Sequence, residues 1–139
     1  MTTKIFVNLP VADLPRSKRF FEALGYGFNP KFSNDDAACM VISDDIYAML
    51  LTHPFFAGFT PHPVADATKA TEVLIALSQP NREAVNGMVD KAVAAGGTEP
   101  RPAQDMGFMF SRAFADPDGH IWEIVWMDEK AAEEGPPPS

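Results

Sequence analysis

Phe114–Met127, FADPDGHIWEIVWM, is the stretch that decides the reading: a DPDG turn opens onto a run of strand formers carrying one carboxylate, Glu123, among apolar neighbours. An ionised group in an apolar strand is costly unless it is paired, protonated or bound to a metal, so Glu123 asks for a partner. Period-2 alternation puts Glu123 on one face with Ile121 and Val125, and Trp122, Ile124 and Trp126 on the other. The preceding strand carries Arg112, and the turn decides whether the two meet. A two-residue turn sets Arg112 opposite Glu123. A type I turn through Pro117 with Gly119 as a left-handed bulge residue sets Ala113 there instead and turns Arg112 to the far face. The turn residues favour the bulge.

Working back from this hairpin, the second half reads as a strand in EVLIALS, a helix from Arg82 to Ala95 stopped by Gly96-Gly97, and strands near Thr98–Arg101, Phe108–Phe114 and His120–Met127. Val85, Met88, Val89, Ala92 and Val93 give that helix its apolar stripe. The first half follows the same order. IFVNLPV is a strand, Asp13 caps a helix running to Leu24, and Gly25 ends it. Leu14, Phe20, Phe21 and Leu24 supply its buried face. Strands are then predicted near Tyr26–Phe32, Ala37–Ile42 and Ile46–Thr52, with NDD and SDD as turns. The chain is α+β: strand, helix, three strands, repeated once as two tandem βαβββ modules. The expected organisation is a single domain over 1–128, with module one at 4–52, a linker at 53–70, module two at 71–127 and an acidic, proline-rich, flexible tail at 129–139.

At 139 residues and 46% hydrophobic, the chain has enough apolar sequence for one ordinary core. No apolar run reaches the ~20 residues of a membrane span, and MTTKIFVNLP is not a signal sequence, so a cytoplasmic protein is expected, with no membrane partner. Net charge is -8 with Lys and Arg scattered singly, which speaks against nucleic acid as a partner. Cys39 stands alone in an apolar run and reads as a small buried hydrophobe. No Ser-His-Asp arrangement, phosphate loop or HExxH stretch occurs.

VNLPVADLPRSKRFFEALGY and DPDGHIWEIVW together resemble the opening strand and helix and the closing hairpin of the vicinal oxygen chelate superfamily, which includes glyoxalase I, bleomycin and fosfomycin resistance proteins and extradiol dioxygenases. The resemblance covers Lys4 to Met127. It implies a glyoxalase-like half-open barrel in which paired cups enclose a site, with a divalent metal such as Zn, Ni, Mn or Fe commonly held from four strand positions. Counted on the motifs, those positions fall on Phe6, on Ala48 (laying IYAML over IWEIV), on Glu72 and on Glu123. Two of the four carry a metal ligand. Glu72 and Glu123 are thus the candidate metal ligands, with Glu123 also the candidate catalytic base, and the implied chemistry is metal-assisted lyase or isomerase action on a small oxygenated substrate. The alternative implied by the same resemblance is a non-catalytic protein that sequesters a small molecule.

HPFFAGFTPHP and QDMGFMFSR are rich in Phe and Met for connecting regions, and such surfaces need a cover. One reading is a ligand pocket lined by Phe6, Ala48 and Met109, with Asn8 and Ser111 as polar contacts. The other, slightly favoured, is the interface of a homodimer. His53 and His62 are expected on the surface, and His120 is expected to point away from Glu123.

Overall fold

Each half of the chain sets down its first strand just ahead of a capped helix, β-residues Phe6 and Leu74 each lying seven positions before the N-cap. The computed structural model describes residues 2–138 and contains two compact units, Met1–Ala70 and Thr71–Ser139.

In the first unit β1 (Ile5–Val11) leads into α1 (Leu14–Ala23), then β2 (Gly27–Asn29), β3 (Ala37–Val41) and β4 (Ile46–Thr52). The sheet order is β1-β4-β3-β2. β1 lies parallel to β4, and the remaining pairs are antiparallel. The Asp13 carboxylate accepts from Arg16 N at 3.1 Å and starts α1. Gly25, at φ 103, ends it in the left-handed region, where a side chain would be strained. Leu14, Phe20, Phe21 and Leu24 are buried, as are Leu9, Ala48, Leu50 and Met40 on the sheet face that meets the helix. Cys39 is buried as expected, and burial pushes its thiol up from the ordinary range. A short helix α2 (His53–Ala57) follows β4 and packs on β1 and β4.

The second unit repeats the plan with β5 (Leu74–Ser78), α3 (Arg82–Ala94), β6 (Gln104–Asp105), β7 (Met109–Ala115) and β8 (Ile121–Met127), in the order β5-β8-β7-β6. Asn81 caps α3 by accepting from Ala84 N at 2.8 Å. Val85, Val89 and Ala92 on α3 and Phe114, Trp122 and Ile124 on the sheet form this unit's core. Phe114 and Trp122 stack with centroids 6.3 Å apart. Val93, placed on the apolar stripe by periodicity, is 45% exposed.

The closing hairpin takes the bulged register: Ala113 lies opposite Glu123, and Gly119 has φ 88. Asp116 fixes the turn. Its Oδ1 accepts from Asp118 N and His120 N, and its Oδ2 accepts from the buried Trp122 Nε1 at 3.0 Å. Burial pushes the Asp116 carboxyl up, against the lowering effects of His120 and of these donors.

Three expectations are corrected. The strand placed at Thr98–Arg101 is a single bridge, Thr98 to Ala115, and the edge strand is β6. Pro100 and Pro102 flank Arg101, and a residue without an N–H cannot continue a ladder. The strand expected over Tyr26–Phe32 shortens to β2 and then tightens into a 3-10 turn, Pro30–Phe32. The first part of the tail is helical where a flexible extension was expected over 129–139: α4 (Glu129–Glu134) starts at the Asp128 cap and buries Ala131.

Candidate functional site

Each sheet has a helix-covered face and an open face, and register assigns residues to them. In the first unit Phe6 pairs with Tyr47 and Asn8 with Met49, all on the open face, while Val7 pairs with Ala48 and Leu9 with Leu50 toward α1. Phe6 is 50% exposed and stacks on Tyr47 at 4.8 Å. Asn8 donates from Nδ2 to the Phe6 carbonyl at 3.2 Å. Ala48 is fully buried on the helix side, so it does not line the open face.

Counting from the helix caps shows where the earlier alignment slipped. Phe6 precedes the Asp13 cap by the same interval that Leu74 precedes the Asn81 cap. Phe6 is therefore equivalent to Leu74, and Asn8 to Ala76. Because Asn8 pairs with Met49 and Ala76 pairs with Glu123, the counterpart of Glu123 is Met49. A one-residue slip in a strand exchanges its faces, which is why laying IYAML over IWEIV selected a core residue. Glu72 is also displaced. The β5–β8 ladder opens at Leu74 opposite Ile121, and Glu72 lies in a bend before it, exposed. At a rise of ~3.3 Å per residue, its backbone stands about 13 Å along the chain from Ala76, the direct neighbour of Glu123.

The four equivalent positions are thus Phe6, Met49, Leu74 and Glu123. Two are hydrocarbon and one is a thioether, a soft and weak donor. The retained carboxylate has a partner that motif reading passed over. Arg101 donates from Nη2 to Glu123 Oε2 at 3.1 Å and to Ser111 Oγ at 2.9 Å, and from Nη1 to the Pro102 carbonyl at 3.1 Å. Its side chain is 25% exposed and that of Glu123 28% exposed. Among the described residues no group of three or more His, Cys, Asp and Glu is placed to hold a metal ion. The donor set here, one carboxylate already bound to a guanidinium, does not fit a divalent cation.

Arg112 takes the opposite face. It donates to both carboxylate oxygens of Glu99 at 2.9 and 3.0 Å, to Asn86 Oδ1 at 2.9 Å and to Asp90 Oδ1 at 3.1 Å, tying β7 to α3. The guanidinium holds the Glu99 carboxyl below the usual carboxylate range. The two arginines therefore divide the work: Arg112 joins helix to sheet, and Arg101 meets Glu123. A surface pair such as Arg101–Glu123 contributes at most ~1 kcal/mol, and an arginine side chain carries ~2 kcal/mol of rotamer entropy.

The floor around Glu123 is low. Its cross-strand neighbours are Ala76 on β5 and Ala113 on β7, with Ser111 and Val125 one pair further along the same face. Ala76 is open to solvent and Leu74 is 55% exposed. Met109 and Ser111 share this face, paired with Met127 and Val125. His53 and His62 are exposed, as expected. No helix among the described residues is long and apolar enough to cross a membrane.

Residues 3–43, the opening strand and helix with part of the first sheet, match the family model for a bleomycin resistance protein-like N-terminal region. No curated protein matches the chain in sequence. Among solved structures, the chain is similar to a hypothetical protein from S. aureus, with 26% identity, 91% of this chain and 95% of that one covered, and a TM-score of 0.76. A glyoxalase-related enzyme from Fulvimarina pelagi is similar at 25% identity, covering 91% and 88% of the two chains, with a TM-score of 0.75. The bleomycin resistance determinant encoded on the transposon Tn5 shares the fold at 19% identity, 92% and 99% coverage and a TM-score of 0.63. With residues 3–43 matching the resistance-protein family model and two βαβββ units carrying the shared fold, the chain is similar to the vicinal oxygen chelate superfamily of glyoxalase, bleomycin resistance and dioxygenase proteins.

Proposed function

We propose that this protein binds a small organic molecule on the open face of its second module without a resident metal ion, as a sequestering protein rather than a metal-assisted lyase or isomerase. The observation that carries this reading is the Arg101–Glu123 ion pair: the one carboxylate at the four equivalent positions is already committed to a guanidinium. An apolar floor with a few fixed polar groups is the general chemistry of a small-molecule site. Leu74, Ala76, Val125 and Met109 supply the apolar part, and Ser111, Glu123 and Arg101 the polar part. The resistance-protein name of a structure with this fold is consistent with sequestration. The exposed Ile5, Phe6, Val73 and Leu74 further support a homodimer as the working state.

Two measurements test the reading. Elemental analysis of protein purified without chelator or affinity-tag metal, repeated after adding Zn, Ni, Mn or Fe, is expected to find no stoichiometric ion. An ion near one per chain that disappears in Glu123→Gln sinks the metal-free reading and restores Glu123 as ligand and base. Backbone NMR with small aromatic probes is expected to shift Ala76, Ser111 and Ala113, and undisturbed resonances there remove the binding face.

A further inference from the structure

We propose that Met106, Met109 and Met127 form a soft-cation site at one end of the second sheet: three thioethers that take an exchangeable monovalent ion of the Cu(I) class. The site lies apart from the strand positions Phe6, Met49, Leu74 and Glu123, and it does not depend on the small-molecule reading.

Register brings the three side chains together. β6 pairs with β7 through Gln104 opposite Ser111 and Asp105 opposite Phe110. Met106 N donates to the Met109 carbonyl at 2.9 Å, which carries the same register one pair further, around a two-residue turn of Gly107 and Phe108 with Gly107 at φ 81. Met109 in turn lies opposite Met127 on β8. Residues directly opposite share a face, so three sulfur side chains stand in one row on adjacent strands spaced ~4.8 Å apart. A methionine side chain is unbranched with three rotatable bonds, so the outer two can lean over the middle one.

This row is not core. Met106 is 62% exposed and Met127 38% exposed, whereas Met40 is fully buried. The turn that carries Met106 is nevertheless held firmly. Gly107 N donates to Asp105 Oδ1 at 2.9 Å, and Arg82, bidentate on the Asp105 carboxylate, also donates from Nη2 to the Gly107 carbonyl at 3.0 Å. A fixed backbone beneath an exposed thioether lowers the entropy lost when the sulfur takes a ligand.

The donors name the ion. Thioethers are soft and neutral and suit Cu(I), whereas Mn and other hard divalent ions prefer oxygen. The next pair along the face, Ser111 with Gln104 and Val125 on either side, brings no charge. Asp105, one residue from Met106, alternates to the opposite face, where Arg82 holds both of its oxygens. A monovalent cation needs no carboxylate to neutralise it, and the net charge of -8 favours its approach.

The experiment is a methionine-methyl NMR titration of the full chain with silver nitrate, a redox-inert stand-in for Cu(I), in chloride-free buffer. Cys39→Ala serves as the background, which keeps the buried thiol out of the count. The Met106, Met109 and Met127 methyl signals are expected to shift together and saturate at one ion per chain, with Met40 and Met88 unmoved and zinc nitrate without effect. Met106→Leu and Met109→Leu keep the apolar volume, and the same spectra report whether they keep the fold. Each should weaken silver binding at least about tenfold, the least that even an outer-shell change costs a metal site. A shift at Met106 alone, or unchanged affinity in a folded Met106→Leu, shows independent surface thioethers and overturns the inference. An equal response at Met88, or no shift at any of the three, overturns it as well.

Discussion

Ala113 lies directly across the sheet from Glu123, and this pairing sends Arg112 to the helix side and leaves Glu123 to Arg101. The register comes from the turn, where Gly119 adopts φ 88. Shifting the pairing by one residue would exchange the faces of the whole strand.

Replacing Gly119 by Ala should therefore cost about 1–2 kcal/mol, the strain of a side chain in the left-handed region. Urea denaturation followed by Trp fluorescence measures it. A loss below ~0.3 kcal/mol, well inside that strain, would show that the turn relaxes to another geometry.

Asp116 carries the buried end of the same turn. Asp116→Ala removes the acceptor of Trp122 Nε1 and of two backbone N–H groups, leaving a buried indole donor unsatisfied. The expected loss is about 2–3 kcal/mol. Asp116→Asn, which keeps an acceptor oxygen, should lose less than Asp116→Ala, and the reverse order would contradict the hydrogen-bond account.

Arg112 and Arg101 should separate cleanly by stability. Arg112→Met breaks bonds to Glu99, Asp90 and Asn86 beneath α3 and is expected to cost about 1–3 kcal/mol. Arg101→Met, which removes a more exposed guanidinium with one carboxylate partner, should cost no more than ~1 kcal/mol. Thermal denaturation of both variants checks the ranking, and equal losses would mean that Arg101 is as structural as Arg112.

A third arginine sets an acid limit. Arg82 forms a bidentate pair with Asp105 at 2.7 and 2.9 Å, and its guanidinium lies 5.1 Å from the ring centres of both Phe110 and Trp126. The Arg82 bond, helped by Gly107 N, lowers the Asp105 carboxyl from the ordinary 3.8 to about 2. A depressed folded-state value means that the stabilisation is complete above about pH 4 and is lost as pH falls toward 2. Carbon NMR of the Asp105 carboxyl should show this titration, with a parallel change in Trp126 fluorescence. In Arg82→Gln the midpoint should move back toward 3.8. An unchanged midpoint would assign the depression to the Gly107 N–H instead.

The sequence by itself determined the repeat, the two caps at Asp13 and in the second helix's stop at Gly96, the helix stripes and the bulged hairpin. These are local: periodicity, cap chemistry and turn residues act within a few positions, so they can be read from neighbours in the chain. It also showed that Glu123 needed a partner. Which partner was decided only by tertiary structure. Arg101 lies 22 residues away in a loop between prolines, and nothing local marks a loop arginine as facing a strand carboxylate. Parallel pairing decided the rest, since β1–β4 and β5–β8 join strands distant in sequence. That long-range register exchanged Ala48 for Met49 and left Glu72 outside the ladder, because strand faces alternate at every residue and a single step of misalignment inverts them.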